Sequence, residues 1–287
     1  MTNDPAVHVG ASPDARPLDT SSHQEFFDYY AAASASEAAM MRFRTLRDLL
    51  ISIVGRAHAA RGLDVLDVGC GAGTFSILWA ESGQRVAGVD INQPLLELGR
   101  KRAAEAGQRI DFRVGSATAL PFPDAAFDIC CAPELLEHVE DWQRCLDEFT
   151  RVLRPGGLLY LTTTNRLCPR QEEFNLPLYS WYPKMLQRHF VRLASTTRPE
   201  LANYAKYPAY HWFTYYGLRR ALERRGFRCL DRFDLAVHHR GGGPTGLALK
   251  LIRTVPGLRF LGQVATAGTR IAGIKLNEAN FTLPEYR

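Results

Sequence analysis

Short apolar runs alternate with longer amphipathic stretches through residues 61–164. The runs predict strands at 64–68, 85–90, 110–114, 127–132 and 158–163, each too short and too evenly apolar for a surface helix. Between them, 74–82, 93–106 and 142–153 repeat at helical spacing. Gly107, the Pro121-Phe122-Pro123-Asp124 stretch and Pro155-Gly156-Gly157 separate these segments as helix stops and turns. Upstream, 23–60 reads as two helices. The second, 37–60, sets Met41, Leu46, Leu49, Leu50, Ile53 and Val54 on one face. Strands alternating with helices imply an α/β fold: a doubly wound, mostly parallel sheet with helices on both faces. Such sheets bind ligands beyond the carboxyl ends of their strands.

The alternation stops after Thr163. Residues 165–211 are dense in Pro, Tyr, Trp, Arg and His and show no strand period. The pattern resumes with a helix at 214–225, a stop at Gly226 and a strand expected over 227–235. An insertion after the fifth strand overhangs the ligand cleft, so 165–211 is expected to cover a substrate; a purely stabilising decoration is the alternative. Further on, 245–264 places Leu247, Leu251, Val255, Leu258 and Leu261 at helical spacing among Lys250, Arg253 and Arg259, with Pro256 as a break or kink. A basic amphipathic helix can lie on a membrane surface, but packing on its own domain is the favoured reading. A last edge strand is expected within 270–283. The division is then a disordered tail at 1–22, N-terminal helices or a lid at 23–60, a core at 61–164, the cover at 165–211, and completion of the core with a basic amphipathic segment at 212–287.

At 287 residues the chain can bury a full α/β core with some decoration. A net charge of +5 is mild, and its arginines are scattered. The pairs Arg219-Arg220 and Arg224-Arg225 sit on an expected helix, where a solvated face explains them, so nucleic acid is not an expected partner. The six cysteines show no paired metal-ligand spacing, as in a reduced cytoplasmic protein. The first 22 residues are rich in Pro, Asp, Ser and Ala and carry no apolar core of a signal peptide.

The candidate chemistry centres on Val65-Leu66-Asp67-Val68-Gly69-Cys70-Gly71-Ala72-Gly73. Glycines at this spacing let a strand turn into a helix and let a ligand approach bare backbone. The free N–H groups of the helix start suit an anion. A second short strand ends at Asp90, seventeen positions after Gly73, where an acid can accept from a ribose diol. A turn or capping role for Asp90 is compatible with this, because Asn92-Gln93-Pro94 looks like a helix start.

These segments together resemble a class I S-adenosylmethionine-dependent methyltransferase with a type 11-like domain and a Rossmann-like sheet. The resemblance rests on the glycine motif, Gly88-Val89-Asp90, the stretch Gly115-Ser116-Ala117-Thr118-Ala119-Leu120-Pro121-Phe122-Pro123-Asp124, Phe127-Asp128, Glu134-Leu135-Leu136-Glu137-His138-Val139 and Leu153-Arg154-Pro155-Gly156-Gly157. A dehydrogenase keeps a further glycine where Phe75 stands. The resemblance implies S-adenosylmethionine as cofactor. It places Asp67, Gly69, Cys70, Gly71 and Gly73 along the methionine part, Asp90 on the ribose hydroxyls, Ile91 on the adenine and Pro133 near the methyl group. Family members carry an acid where this chain has Ser116. A neutral hydroxyl makes a weaker contact to the adenine amino group, and Ala117 contributes its backbone N–H.

The resemblance places methyl transfer beside Glu134 and the residues after it. His138 is the leading base for a hydroxyl acceptor, with helix capping or packing as its other reading. The segment Glu134–His138 also resembles ubiquinone-biosynthesis O-methyltransferases, some of which are metal-assisted. Glu134, Glu137 and His138 at i, i+3 and i+4 would then share one face of a helical turn and hold Mg²⁺, although the further acids of catechol enzymes are not visible. Asn165, Arg166, Tyr179, Trp181, Tyr182, His211, Trp212 and Tyr215 form the pool for an acceptor wall, each taken alone reading more readily as core packing, and Phe26, Phe27, Tyr29 and Tyr30 form the pool for a lid. The expected activity is methyl transfer to a small-molecule acceptor, most readily at oxygen. Two alternatives stand: a membrane-surface enzyme acting on a lipid or quinone intermediate, and a cofactor-binding regulatory or partner protein without catalysis.

Overall fold

The computed structural model describes residues 36–55, 59–171, 173–202, 208–239 and 243–277. The expected tail at 1–22, the first of the two upstream helices and the aromatic lid residues lie outside them.

Seven strands form one sheet in the order β3-β2-β1-β4-β5-β7-β6. They are β1 (Asp64–Val68), β2 (Arg85–Asp90), β3 (Asp111–Val114), β4 (Phe127–Pro133), β5 (Leu153–Thr164), β6 (Phe227–Asp231) and β7 (Gly268–Lys275). Neighbours among β1 to β5 pair in parallel, whereas β7 runs antiparallel to both β5 and β6. The order reverses between β1 and β4, the point at whose carboxyl ends open α/β sheets bind their ligands. All five strands expected in 61–164 form. The expected helices form as α2 (Thr74–Glu81), α3 (Gln93–Glu105) and α4 (Trp142–Val152).

Alternate residues of each strand feed two cores, as a pleated sheet covered on both faces requires. Val65, Ile129, Leu158 and Tyr160 meet α1 (Glu37–Val54), α2 and the Leu235 side of α7 (Arg232–His239). Leu66, Cys130, Leu159 and Leu161 meet Phe149 of α4 and Leu218 of α6 (Tyr215–Glu223). Near the start of β5, one residue of β4, Asp128, faces four of β5, 154–157, between the Phe127–Leu153 and Ile129–Leu158 pairs. The chain bulges through the expected Pro155-Gly156-Gly157 turn. Gly156 has φ +80°, and a Cβ on Gly157 would sit 2.8 Å from the Arg154 carbonyl, so neither position accommodates a larger residue well.

Three expectations are corrected. The strand expected over 227–235 ends at Asp231, because the Asp231 Oδ1 accepts the N–H groups of Phe233 and Asp234 and starts α7. The C-terminal strand is not an edge. β7 lies between β5 and β6, with Ile271 and Ala272 fully buried, and β6 forms the edge. The helix expected over 37–60 stops at Val54, with Gly55 at φ +91°.

The segment 245–264 divides at Val255 into α8 (Gly243–Thr254) and α9 (Pro256–Val264), with Pro256 in the first turn of α9, where its missing N–H costs nothing. Its arginines turn inward. Arg259 pairs with Asp231 and Asp234 at 2.6 Å each, and Arg253 pairs with Asp234 at 2.9 Å. Leu247, Leu251, Val255, Leu258 and Leu261 stay exposed. No described helix is long and apolar enough to cross a membrane.

Residues 165–211 build a small core of their own. A short 3₁₀ turn at Tyr179–Trp181, α5 (Lys184–Ala194) and a second turn at Pro199–Ala202 enclose Phe174, Tyr179, Val191, Ala194 and Ala202. Phe174 stacks on Tyr179 with ring centroids 4.0 Å apart.

Candidate functional site

The β1–α2 turn is shaped by backbone. Gly69, Gly71 and Gly73 have φ of +74°, +51° and +74°, values that side chains other than glycine adopt at a cost. Gly69 and Cys70 donate to the Val89 carbonyl at 2.8 and 3.1 Å, which holds the turn against the end of β2. A Cβ on Gly73 would lie 2.6 Å from the Phe112 ring. By contrast, a Cβ on Gly71 would meet only the Leu95 side chain, at 4.0 Å. Gly73 caps α2 with no side-chain hydrogen bond, so the first N–H groups of the helix remain available to a ligand.

Asp90 closes the other side. Its Oδ2 accepts the Gly71 N–H at 2.8 Å and its Oδ1 the Asn92 N–H at 2.8 Å. An ionised carboxylate has about four acceptor positions, so capacity for a diol remains on both oxygens. The helix-capping role itself belongs to Asn92, whose Oδ1 accepts from the Leu95 N–H. Asp67 is buried beneath the turn and accepts from the Ser76 hydroxyl at 2.6 Å. Burial pushes its carboxyl up to about 7, and the neighbouring Asp90 charge adds to the shift. Burial likewise holds the Asp90 carboxyl above its ordinary value, opposed by its backbone N–H donors.

The remaining cofactor candidates divide by what their side chains do. Ile91 is 50% exposed at the mouth beyond β2, an apolar surface suited to a flat ring. Cys70 packs instead with Phe112 against the bare α-carbon of Gly88, and burial keeps its thiol neutral. The Ser116 hydroxyl is engaged with the Thr118 hydroxyl at 2.7 Å and the Thr118 N–H at 3.2 Å. Ala117 is buried beside it.

Sequence reading missed what holds this loop. Glu148 of α4 accepts the Leu120 N–H at 2.7 Å, and Arg151 donates to the carbonyls of Phe122 and Leu120 at 2.7 and 3.1 Å. The visible signal was an acid and a base three apart near the apolar face of an expected helix.

Pro133 ends β4 and Glu134 turns with φ +53°, a left-handed conformation that costs a non-glycine residue of order 1–3 kcal/mol. Its N–H donates to the Thr162 carbonyl at 2.8 Å and contacts the Thr162 hydroxyl at 3.1 Å, so the turn is pinned to β5. The Glu134 carboxylate meets Arg42 of α1 at 3.5 Å on the surface. Leu136–His138 then forms one 3₁₀ turn. Glu137 points inward and is 1% exposed, taking a 2.7 Å hydrogen bond from the Thr163 hydroxyl. Burial pushes its carboxyl up to about 8. His138 is half-buried on the same turn, its N–H on the Leu135 carbonyl.

The proposed Mg²⁺ ligands therefore do not share one helical face: Glu134 lies before the turn and outside, while Glu137 lies within. Among the described residues no group of three or more His, Cys, Asp or Glu is arranged to hold a metal.

The Glu137 backbone carbonyl accepts the N–H groups of Tyr210 and His211 at 2.8 and 3.2 Å. The Thr164 hydroxyl donates to the His211 carbonyl at 2.9 Å, and the His211 Nε2 lies 3.0 Å from the Glu140 carbonyl. The end of the insertion is thus stitched to the turn after β4. Of the expected acceptor wall, Tyr179 and Tyr215 are buried packing residues. Asn165 is buried too, donating to the carbonyls of Gln263 and Thr266. Trp181, Tyr182, His211 and Arg166 remain at least partly exposed.

Residues 66–161 match the family model described as a methyltransferase domain. The chain is 35% identical over 130 residues to a ubiquinone biosynthesis O-methyltransferase of Chelativorans sp. (strain BNC1), covering 44% of this chain and 51% of that protein. It is 35% identical over 133 residues to a malonyl-[acyl-carrier protein] O-methyltransferase of Serratia marcescens, covering 46% and 49%. The chain thus spans about half the length of these curated relatives. Its fold is similar to that of the PH0226 protein from Pyrococcus horikoshii OT3, with a TM-score of 0.54 at 19% identity over 86% of this chain and 98% of that one. Motif order, sheet order and family match agree: residues 66–161 form a methyltransferase domain, similar to that of S-adenosylmethionine-dependent methyltransferases.

Proposed function

We propose that the protein transfers a methyl group from S-adenosylmethionine to a small-molecule acceptor, at a hydroxyl oxygen. The observation that carries this reading is the closed contact between Asp90 and the Gly71 N–H, at the reversal of the strand order. The residues present fit the cofactor: two acids suit its cationic end and its ribose hydroxyls, Gly71 leaves backbone open, and Ile91 offers an apolar surface. Asp67, Gly69, Cys70, Gly71 and Gly73 would line the methionine part, with Cys70 contributing through its backbone. Asp90 would hold the ribose, Ile91 and the Ala117 N–H the adenine, and Pro133 the wall beside the methyl group.

When bound, the sulfonium supplies a methyl group already activated for displacement. The protein's part is to align the acceptor and exclude water. The pinned turn at Glu134 fixes one wall of the reaction space, and residues 165–211 cover it. His138 takes the acceptor proton. Calorimetry with S-adenosylmethionine, followed by turnover across a panel of hydroxylated acceptors, tests the reading. Binding without product across the panel would favour a regulatory or partner protein. His138→Ala is expected to lower turnover while leaving cofactor affinity unchanged; equal loss of folding and activity would make His138 structural.

A second reading, action on a lipid-borne acceptor at a membrane surface, draws support from the exposed leucines of α8 and α9. The inward ion pairs of Arg253 and Arg259 remove most of the charge that would attract anionic lipid. Sedimentation with vesicles that is insensitive to salt supports this reading, and a chain that stays in the supernatant opposes it.

A further inference from the structure

Arg232 opens α7, and its Nη2 donates to the Gly268 carbonyl at 2.9 Å. Gly268 pairs with Thr164, the last residue of β5. The guanidinium therefore lies at the carboxyl edge of the sheet, where residues 165–211 leave it. Its Nε is buried and has no hydrogen-bond partner. Burial pulls the group down to about 10, and the like charge of Arg270 adds to this. Arg270 stands two positions along β7 from Gly268. It is exposed and pairs with no carboxylate among the described residues.

Thr162 faces Arg270 and Tyr160 faces Ala272, so Arg270 projects from the sheet face that Tyr160 shares with Leu235 of α7, the helix that Arg232 opens.

The nearby acids are engaged elsewhere. Asp231 gives Oδ1 to the Phe233 and Asp234 N–H groups, and Oδ2 to Arg259 and Gln263. Asp234 serves Arg253 and Arg259, and Glu134 meets Arg42. Two guanidinium groups of like charge, one with a buried unmet donor, are thus left at the ligand edge. A planar anion satisfies such donors better than water does.

We propose that Arg232 and Arg270 form a subsite for a carboxylate or phosphate group carried by the methyl acceptor. This rests on the reading that the acceptor docks at the carboxyl ends of β4 and β5, and it narrows the acceptor class to anionic molecules.

The test uses the full chain and two probes, inorganic phosphate and malonate, titrated at constant ionic strength against chloride and followed by thermal unfolding. One or both probes are expected to raise the melting temperature of the wild type above the chloride control. The stronger probe tells phosphate from carboxylate. Arg270→Gln and Arg232→Gln are each expected to weaken the apparent Kd by about fivefold or more, whereas Arg198→Gln, on an exposed arginine of the insertion, leaves it unchanged. Arg270 is at the surface, so its variant remains informative if Arg232→Gln does not fold. An anion response equal in wild type and Arg270→Gln, or no response beyond chloride, overturns the subsite. Calorimetry with S-adenosylhomocysteine on the same samples separates the two readings: intact binding with no anion response removes the subsite alone, and absent binding removes the cofactor reading.

Discussion

The glycine-loop side and the insertion side of the sheet's carboxyl edge are built by different means. Around β1, β2 and β3 the walls are backbone: three left-handed glycines, two N–H groups on the Val89 carbonyl, and an acid that grips the loop it faces. Across β4 and β5 the walls are side chains, gathered around Tyr179 in an insertion with its own small core. Backbone geometry tolerates little change, which suits a donor that stays the same. A side-chain core can be repacked while the sheet beneath it stands, which suits an acceptor that differs between relatives. The match over 66–161, leaving the whole insertion outside, follows the same line.

The largest expected effect breaks the insertion side alone. Tyr179→Ala removes a fully buried ring and is expected to cost about 3–5 kcal/mol of local stability. Limited proteolysis should open 165–211 while calorimetry still shows cofactor binding; loss of both together would mean that the two sides fold as one. Asp90→Ala works the other way. It removes the acceptor of two backbone N–H groups and should weaken cofactor binding by about 1.5–3 kcal/mol while leaving the insertion resistant to protease.

The two buried acids sharpen the contrast through pH. Asp67 stands up at about 7 and Glu137 at about 8. Each binds a proton more tightly folded than unfolded, so its contribution is fully present below the ordinary carboxylate range and is lost as pH rises through the folded value. Stability of the ligand-free protein should therefore fall between about pH 4 and 8. Asp67→Asn should remove the part ending near pH 7 and Glu137→Gln the part reaching pH 8. Denaturant titrations across that range measure each slope, and variants with the wild-type slope would show these groups ionised in the fold. Smallest of all is Arg42→Ala. Its pair with Glu134 is solvent-exposed on both sides, and the melting temperature should not move measurably.

Legibility in the sequence follows the same division. Strand runs broken by glycine revealed β1, β2 and the glycine turn, because those residues are there for reasons local to the backbone. The strand expected over 227–235 was overextended because Asp231 reads like any polar residue until its side chain is seen starting a helix. Whether a terminal strand pairs at an edge or between two others depends on partners far away in sequence, and Ile271 carries no mark of that choice. Arg253 and Arg259 read as the basic positions of an amphipathic helix; their partners, Asp231 and Asp234, lie on elements that periodicity within 245–264 cannot see. Tyr179 and Tyr215 stood in the pool for a wall while each alone read as core packing, and both are core; aromatic composition does not tell a lining from a core.

The place of β7 has a consequence for how the molecule is made. β5 is complete at Thr164, but the strand that covers its free side begins at Gly268, roughly a hundred residues later, a separation that makes this pairing intrinsically slow. Until that stretch leaves the ribosome, β5 and β6 each present an unpaired ladder of N–H and C=O groups. Before Gly268 is made, the nascent chain is therefore an open sheet, prone to self-association and in need of protection. A transcript cut short just before Gly268 would encode every residue of the glycine loop and still yield aggregate.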